Sequence, residues 1–519
     1  MLALQESYVE DFLALGGDEL GRLAAQEYLN SSTARYHDEI IAMGYIPKLF
    51  DQASLDFLEA AASQTYGLLD KITRRYLEDA VYRKLFRFSP LLEQMVLLPS
   101  GYDTYCSIPI CRIDIFLDER DGSFKFCEFN TDGTSAMNED REVVNSLSGA
   151  PVLGEFSSKH RIFAQELFDP WVETFLEIYK KSFIVMDTPM GTPGCDSTLT
   201  PMDTPGFAPI IAIVDYLEHA VIDEQLEYRN RFEAAGVSCI VCDVSTLEYR
   251  DGVLYGTDVS SKTTQRIDAV YRRAVTYELL EELERCSAEQ RDGVMAQRNS
   301  SRGPFPCTVT TVQGNRPLVL FTGAQALLAA VVDKKVCLIG SFQTQVAHSK
   351  AIFCMLHHPS TLEFLSEEER AFIKEHVPYT TWLKEDSIDI AMVKASPEKW
   401  IIKPVDGYGT MGVHAGQSFD ADTWSKLIDE MICKDYIIQE YCTQFQTLNT
   451  LPVPTNTPLE PYNILTGLYC YAGRFAGIFT RAGRDALIVG FRGGLTIGSL
   501  LVDCDESKYD VRNVPLLAK

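Results

Sequence analysis

Apolar residues recur three and four apart through Tyr8-Val-Glu-Asp-Phe-Leu-Ala-Leu15 and again over residues 55–77, so residues 1–95 are predicted to be helical. At Ile108 the period changes to two. Ile108-Pro-Ile-Cys-Arg-Ile-Asp-Ile-Phe116 and Phe124-Lys-Phe-Cys-Glu-Phe-Asn130 both alternate, and Asp121-Gly122 between them marks a turn, which together predict a β-hairpin. Residues 209–215, 237–241 and 267–271 read as apolar strands. A helix over residues 224–235 joins the first two, the pattern of a parallel βαβ unit. Beyond residue 331 helices such as 362–376 mix with strands such as 399–403 and 435–440. Met186-Asp-Thr-Pro189 recurs as Met202-Asp-Thr-Pro205 in a Pro/Thr/Gly-rich stretch that reads as a surface insertion. Residues 288–317 read as a second, loop-like insertion, and the Pro/Thr-rich residues 451–461 as a mobile loop between strands. The expected architecture is α/β (α+β). It divides into a helical N-terminal region (1–95), a hairpin part (96–180), a βαβ subdomain (207–330) and a C-terminal lobe (331–519).

Charge narrows the partners. A formal net charge of −26, with no compensating block of lysine and arginine, repels polyphosphate strands and argues against nucleic acid. A small anion such as ATP would need a locally basic pocket and a divalent cation. No apolar run is long enough to span a membrane, and residues 1–10 lack the basic start and apolar core of a secretory signal. Together with scattered free cysteines, this predicts a cytoplasmic protein. The one close pair, Cys239 and Cys242, stands on an apolar strand without a partner pair at zinc spacing, and reads as core.

The hairpin carries the first candidate chemistry. Arg112 and Asp114 share one face of their strand, as Glu128 and Asn130 do on the next. Closing near Asp121-Gly122 would therefore gather an arginine and three hard oxygen donors suited to Mg²⁺. Spacing alone describes equally well the solvated face of an amphipathic hairpin. The second element is Trp400-Ile-Ile-Lys-Pro-Val-Asp-Gly-Tyr-Gly-Thr-Met-Gly-Val413. There an apolar strand delivers Lys403 into a loop of Gly407, Gly409 and Gly412, able to aim backbone N–H groups at phosphate oxygens. It matches neither Walker A nor the Rossmann fingerprint, and a plain glycine-rich turn fits as well. Tyr436-Ile-Ile-Gln-Glu-Tyr441 ends a strand on polar residues, and Gly477-Ile-Phe-Thr-Arg481 ends one on an arginine; each alone has a structural reading. No GxSxG elbow or HExxH pair occurs, and His348, His357 and His358 read as surface residues.

Taken in chain order, these motifs resemble the glutathionylspermidine synthase-like, circularly permuted branch of the ATP-grasp enzymes, over residues 100–510 apart from the insertions. The features that carry the resemblance are Arg112-x-Asp114, the hairpin and Glu128-x-Asn130 standing before Ser349-Lys350, Lys403 with its glycine loop, Gln439-Glu440 and Gly477-x-x-x-Arg481. The resemblance implies an ATP-grasp-like fold with a pre-ATP-grasp-like βαβ subdomain. It further implies an ATP- and Mg²⁺-dependent ligase that joins a small-molecule or peptide carboxylate to an amine through an acyl phosphate. Asp114, Glu128 and Asn130 would hold magnesium, and Arg112 and Arg481 would serve catalysis. Lys350, Lys403, Gly407, Tyr408, Gly409, Gly412, Gln439, Glu440 and Tyr441 would bind ATP, and Asp132 and Ser135 would touch the acyl substrate. The family's pattern continues Asn-Ala-Asp-Thr where this chain reads Asn130-Thr-Asp-Gly-Thr-Ser135, so glutathione and spermidine do not carry over. The family's amidase domain has no counterpart Cys/His setting in residues 1–95. Two other classes stay open: a phosphotransferase, and a non-catalytic nucleotide-binding protein. The oligomeric state is open as well.

Overall fold

The computed structural model describes residues 1–36, 39–103, 105–182, 208–292, 309–313, 316–320, 322–407, 409–488 and 493–514. It divides into two compact units: Met1–Arg87 with Ile110–Trp171 and Val346–Lys519, and Phe88–Pro109 with Val172–Gln345.

The first unit is built on a nine-stranded sheet. Its main path runs Val511–Asn513, Ile162–Gln165, Leu495–Val502, Arg474–Gly483, Glu460–Tyr471, Ile110–Leu117 and Phe124–Asn130. Gln446–Asn449 adds to Glu460–Tyr471, and Met43–Asp51 pairs in parallel with Leu495–Val502. The 27-residue helix Gln52–Glu78 buries Leu55, Leu58, Ala62, Leu69, Ile72 and Tyr76, a three-and-four spacing that keeps one stripe on the core. Asp51 caps it by accepting from the Ser54 amide at 2.9 Å. Within the region expected to be helical, Met43–Asp51 is instead a strand. All but its last residue are buried, so the alternation that would have announced it is erased. Pro47, which has no N–H to give a ladder, falls where the pairing with Leu495–Val502 is interrupted.

The Pro/Thr-rich loop expected to be mobile meets one buried arginine along its backbone carbonyls. Arg22, 2% exposed, donates to the carbonyls of Leu451 (2.6 Å), Pro452 (3.3 Å), Pro454 (3.1 Å) and Thr457 (3.3 Å), and also to that of Thr455. A guanidinium with five N–H groups satisfies carbonyls that prolines leave without a ladder.

A second, four-stranded sheet of the same unit has the order Thr380–Trp382, Tyr436–Glu440, Trp400–Pro404, His414–Ala415. Helix Ala421–Met431 packs Trp424, Ile428 and Met431 onto Trp400, Ile402 and Ile438 from that sheet.

The second unit holds the parallel sheet that the βαβ pattern predicts. Its order is Cys337–Ile339, Ala269–Arg272, Ile210–Asp215, Ser238–Asp243, with helix Ile222–Ala234 joining the last two. Cys239 and Cys242 are buried on the edge strand and behave as core residues. The stretch expected to be loop-like is entered by helix Thr276–Asp292 and contains a hairpin, Val309–Gln313 with Arg316–Leu320. The repeated Met-Asp-Thr-Pro segments lie outside the described residues. Among the described residues no helix is long and apolar enough to cross a membrane.

Candidate active site

The hairpin closes where its turn residues predict, with Asp118 N donating to Ser123 O at 2.7 Å and Gly122 at φ +80°. Its register sets Arg112 opposite Asn130 and Asp114 opposite Glu128, so the four residues do form one patch. That patch is not a solvated face. Arg112 is 4% and Asp114 1% exposed, and they pair bidentately, Nε to Oδ1 at 2.7 Å and Nη2 to Oδ2 at 2.9 Å. Burial works against the Arg112 charge, but Asp114 outweighs it and holds the guanidinium well above its ordinary pKa. The remaining Arg112 nitrogen, Nη1, donates to the Ser135 carbonyl at 2.9 Å, which also accepts from Tyr469 Oη at 2.6 Å. Ser135 thus enters the site through its backbone, and Asp132 lies buried in the same connecting loop.

The pair fits only because its cross-strand neighbour is Gly467. A Cβ there would meet Arg112 Cδ at 2.7 Å and Asp114 Oδ1 at 2.8 Å. Further across the same face stands Phe479, with the guanidinium carbons of Arg112 and Arg481 at 5.2 and 5.0 Å from its ring centre.

On the other side of the pair, a bulge between Asp114 and Ile115 leaves Cys127 unpaired. Its freed carbonyl accepts from Lys403 Nζ at 3.1 Å, and Gln439 Oε1 accepts from the same ammonium at 2.8 Å. The far end of the Gln439 amide donates to Thr380 Oγ1 at 2.9 Å, so Gln439 holds Lys403 in place rather than facing a ligand with its side chain. Lys350 Nζ donates to Gly407 O at 2.8 Å, and the Lys350 amide to Val405 O at 2.9 Å, which ties the helical segment to the start of the glycine loop. Gly407, Gly409 and Gly412 have φ of +127°, +61° and +72°, the curled backbone expected of that loop. Tyr408 lies outside the described residues. Glu440 is exposed at the strand end, while Tyr441 turns its hydroxyl to Gln444 Oε1 at 3.1 Å.

Half-buried Glu128 is the focus of this arrangement. Burial pushes its carboxyl up, but the fields of Lys350, Lys403, Arg112 and His348 together hold it below the usual range. Neither lysine closes an ion pair with it among the described residues, which leaves room between the charges. His348 carries no motif that marks it as a site residue. Rather than sitting on the surface, its ring acts on Glu128, and its Nδ1 is buried without a hydrogen-bond partner. Two-residue spacing from Lys350 is the only signal that could have found it.

Magnesium can be tested against these donors. No group of three or more His, Cys, Asp or Glu side chains able to hold a metal occurs among the described residues. Both oxygens of Asp114 are engaged by Arg112, and Oδ2 also accepts from Asn130 Nδ2 at 3.0 Å. Glu128 is therefore the carboxylate open to a cation. Asn130 turns its Nδ2 toward both carboxylates, 3.0 Å from Asp114 Oδ2 and 3.5 Å from Glu128 Oε1, so its oxygen would join a cation only with the amide turned over. One or two protein oxygens completed by phosphate oxygens is a set that suits Mg²⁺, so the residues fit.

In the second unit, the carboxyl ends of the parallel strands carry their own polar group, where the chain turns from one side of Ile210–Asp215 to the other. Gln225 Nε2 donates to Asp215 Oδ2 at 2.6 Å, and Arg273 pairs with Glu224 at 3.3 Å. Burial pushes the Asp215 carboxyl up to about 7.

No family model and no curated protein matches the sequence. Among solved structures, a glutathione synthetase like-effector from Globodera pallida in its apo form is similar over 92% of this chain and 96% of its own. The TM-score is 0.50 and the identity 12%. The chain therefore has a mixed helix-and-sheet fold similar to that of this effector. A protein given the provisional name gamma-glutamylcysteine synthetase, from Methylobacillus flagellatus, is more distant. It has a TM-score of 0.34 and 11% identity over 83% of this chain and 87% of its own.

Proposed function

We propose that this protein is an ATP- and Mg²⁺-dependent carboxylate–amine ligase that works through an acyl phosphate, as its resemblance to the glutathionylspermidine synthase-like branch implies. The observation that carries the reading is Glu128 set between two buried lysines and beside the Arg112–Asp114 pair on one sheet face. Lys350 and Lys403 would neutralise phosphate oxygens, and the glycine loop would cover them with backbone N–H groups. Glu128 and Asn130 would hold magnesium, whose chemistry there is to draw charge from the phosphate oxygens. Arg112, fixed by Asp114, would offer its charge to the oxygens that become more negative as the phosphoryl group moves. The substrate carboxylate oxygen attacks the γ-phosphorus and the β–γ bridging P–O bond breaks, releasing ADP. The amine nitrogen then attacks the acyl carbon, the C–O bond to phosphate breaks, and the nitrogen gives up a proton as the amide forms.

The fold shared with a protein named for glutathione synthetase supports a ligase. A kinase would need the same phosphate contacts, so stoichiometry decides between them. With Mg²⁺, ATP, a mixture of carboxylic acids and hydroxylamine as a general amine acceptor, we expect ADP and inorganic phosphate to appear one for one. A hydroxamate should form alongside them, and all three should vanish with EDTA. ADP without free phosphate would establish a phosphotransferase instead. A Mg²⁺-ATP melting shift with no turnover of any kind would point to a non-catalytic nucleotide-binding protein.

A further inference from the structure

Beyond Phe479 the same sheet face ends in two opposite charges that do not meet. Arg481 stands directly opposite Thr496 in the ladder, and Thr496 Oγ1 donates to Glu139 Oε2 at 3.2 Å. Residues so paired have Cβ atoms about 5 Å apart, which puts a carboxylate held by Thr496 beside the arginine. Yet Arg481 donates no hydrogen bond and closes no ion pair among the described residues, with only the Phe479 ring against its guanidinium. Glu139 is 8% exposed and, among the described residues, accepts only the one hydrogen bond, with none at Oε1. Tyr36 lies in the field of both: burial and Glu139 raise its phenol, and Arg481 lowers it.

A half-buried arginine and a nearly buried glutamate standing side by side would normally pair, because leaving either charge alone is unfavourable. Their separation has a chemical use if a ligand carries both charges in the reverse sense. Arg481 shares the Phe479 ring with Arg112, so the carboxylate to be activated belongs on the arginine side. The Glu139 side then calls for a cation attached close to that carboxylate. We propose that the acid activated here is a free α-amino acid, its carboxylate received by Arg112 and Arg481 and its α-ammonium by Glu139. In a peptide or an N-acylated acid the α-nitrogen is an uncharged amide, which would leave Glu139 buried and unpaired. A site built around such a contact discriminates strongly against a ligand that lacks it.

This inference rests on the ligase reading, and one experiment separates the two. Phosphate release and hydroxamate formation are measured on the full chain with Mg²⁺, ATP and hydroxylamine, using a panel of free L-amino acids, their N-acetyl forms and short peptides. We expect at least one free amino acid to exceed its N-acetyl form in kcat/KM by about 100-fold or more. Glu139→Gln, which keeps an acceptor for Thr496, should raise KM for that amino acid by about tenfold or more, while the melting shift given by Mg²⁺-ATP persists. If N-acetyl amino acids or peptides are turned over as well as free ones, the assignment of Glu139 is overturned and the ligase reading stands. If no acid of any kind releases phosphate while Mg²⁺-ATP still raises Tm, the ligase reading fails and takes the inference with it. The panel on the wild-type chain decides the matter even if Glu139→Gln does not fold.

Discussion

Replacing Gly467 by alanine tests whether the Arg112–Asp114 pair is the working centre of the site. The backbone at this position is ordinary strand, outside the left-handed region, so alanine meets no conformational obstacle and the effect is one of space alone. Its methyl carbon would lie 2.7 Å from Arg112 Cδ, 2.8 Å from Asp114 Oδ1 and 3.0 Å from Arg112 Cγ, so the pair must move. Overpacking of this kind costs about 1–3 kcal/mol, and losing one arm of a charged, bidentate contact costs about 1.5–3 kcal/mol more. A total near 3–5 kcal/mol, in a unit of this size, lowers Tm by on the order of 5–10 °C. The unit should still fold, since the sheet around Gly467 is otherwise unchanged. On the proposed reading the effect on turnover should be larger, because a displaced Arg112 would no longer face the transferred phosphoryl group. Loss of one such donor typically lowers kcat by about 100- to 1000-fold. Scanning calorimetry and hydroxylamine-trapped phosphate release read the two effects. Gly154→Ala is the control: a Cβ there meets nothing within 4 Å, and it sits in helix Pro151–Ser157, where alanine is favoured. Wild-type turnover in Gly467→Ala would refute the role given to Arg112.

Other consequences are as direct. Asp140 is buried against the Ser499 amide, and burial pushes its carboxyl from 3.8 up to about 7. A folded-state value above the unfolded one contributes stability that is full below about 4 and lost as pH rises through about 7. That spread corresponds to at most about 4 kcal/mol. Asp140→Asn should therefore gain relative to wild type between pH 4 and pH 8 in urea melts, and a constant difference across that range would count against the assignment. Arg22→Lys keeps the charge but offers too few donors for the carbonyls of the 450–457 loop. It should lower stability by about 2 kcal/mol or more and open that loop to limited proteolysis; an unchanged digestion pattern would show the clamp to be dispensable. Asp114→Asn should destabilise the fold in thermal melts, since Asp114 is buried against Arg112 and removing one partner of a buried pair typically costs about 3–5 kcal/mol. Glu128→Gln, at a half-buried position, is the variant that should lose turnover and keep its Tm.

What could be read from the chain was whatever depends on local pattern. Alternation placed Arg112, Asp114, Glu128 and Asn130 on one face, because a hairpin with a recognisable turn leaves its register little choice. The curl at Gly407, Gly409 and Gly412 was legible for the same reason, glycine being the residue that accepts such backbone. Contacts between distant segments were not. Nothing near Gln439 announces that its amide is taken up by Lys403 and Thr380, and nothing near Asp114 shows that Arg112 occupies both its oxygens. Glu139 and Tyr36 join the candidate site only through Thr496 and Arg481, which stand hundreds of residues away in the chain. Met43–Asp51 was hidden for a different reason: a strand buried on both faces has no period to detect.

That hidden strand also bears on how the chain can be made. Asn449 brackets the Ile46 backbone across 403 positions, donating to its carbonyl at 2.8 Å and accepting from its amide at 3.1 Å. Leu495–Val502, which pairs with Met43–Asp51, is made later still. At a synthesis rate of about 5–20 residues per second, the wait between the two halves of that contact is on the order of 20–80 s. Throughout it, an apolar strand with unfilled hydrogen bonds remains exposed on the nascent chain, a template for pairing with the wrong partner. Expression yield should therefore depend on holdase chaperones that act on emerging chains, and chaperone-depleted cells should accumulate the protein as insoluble material.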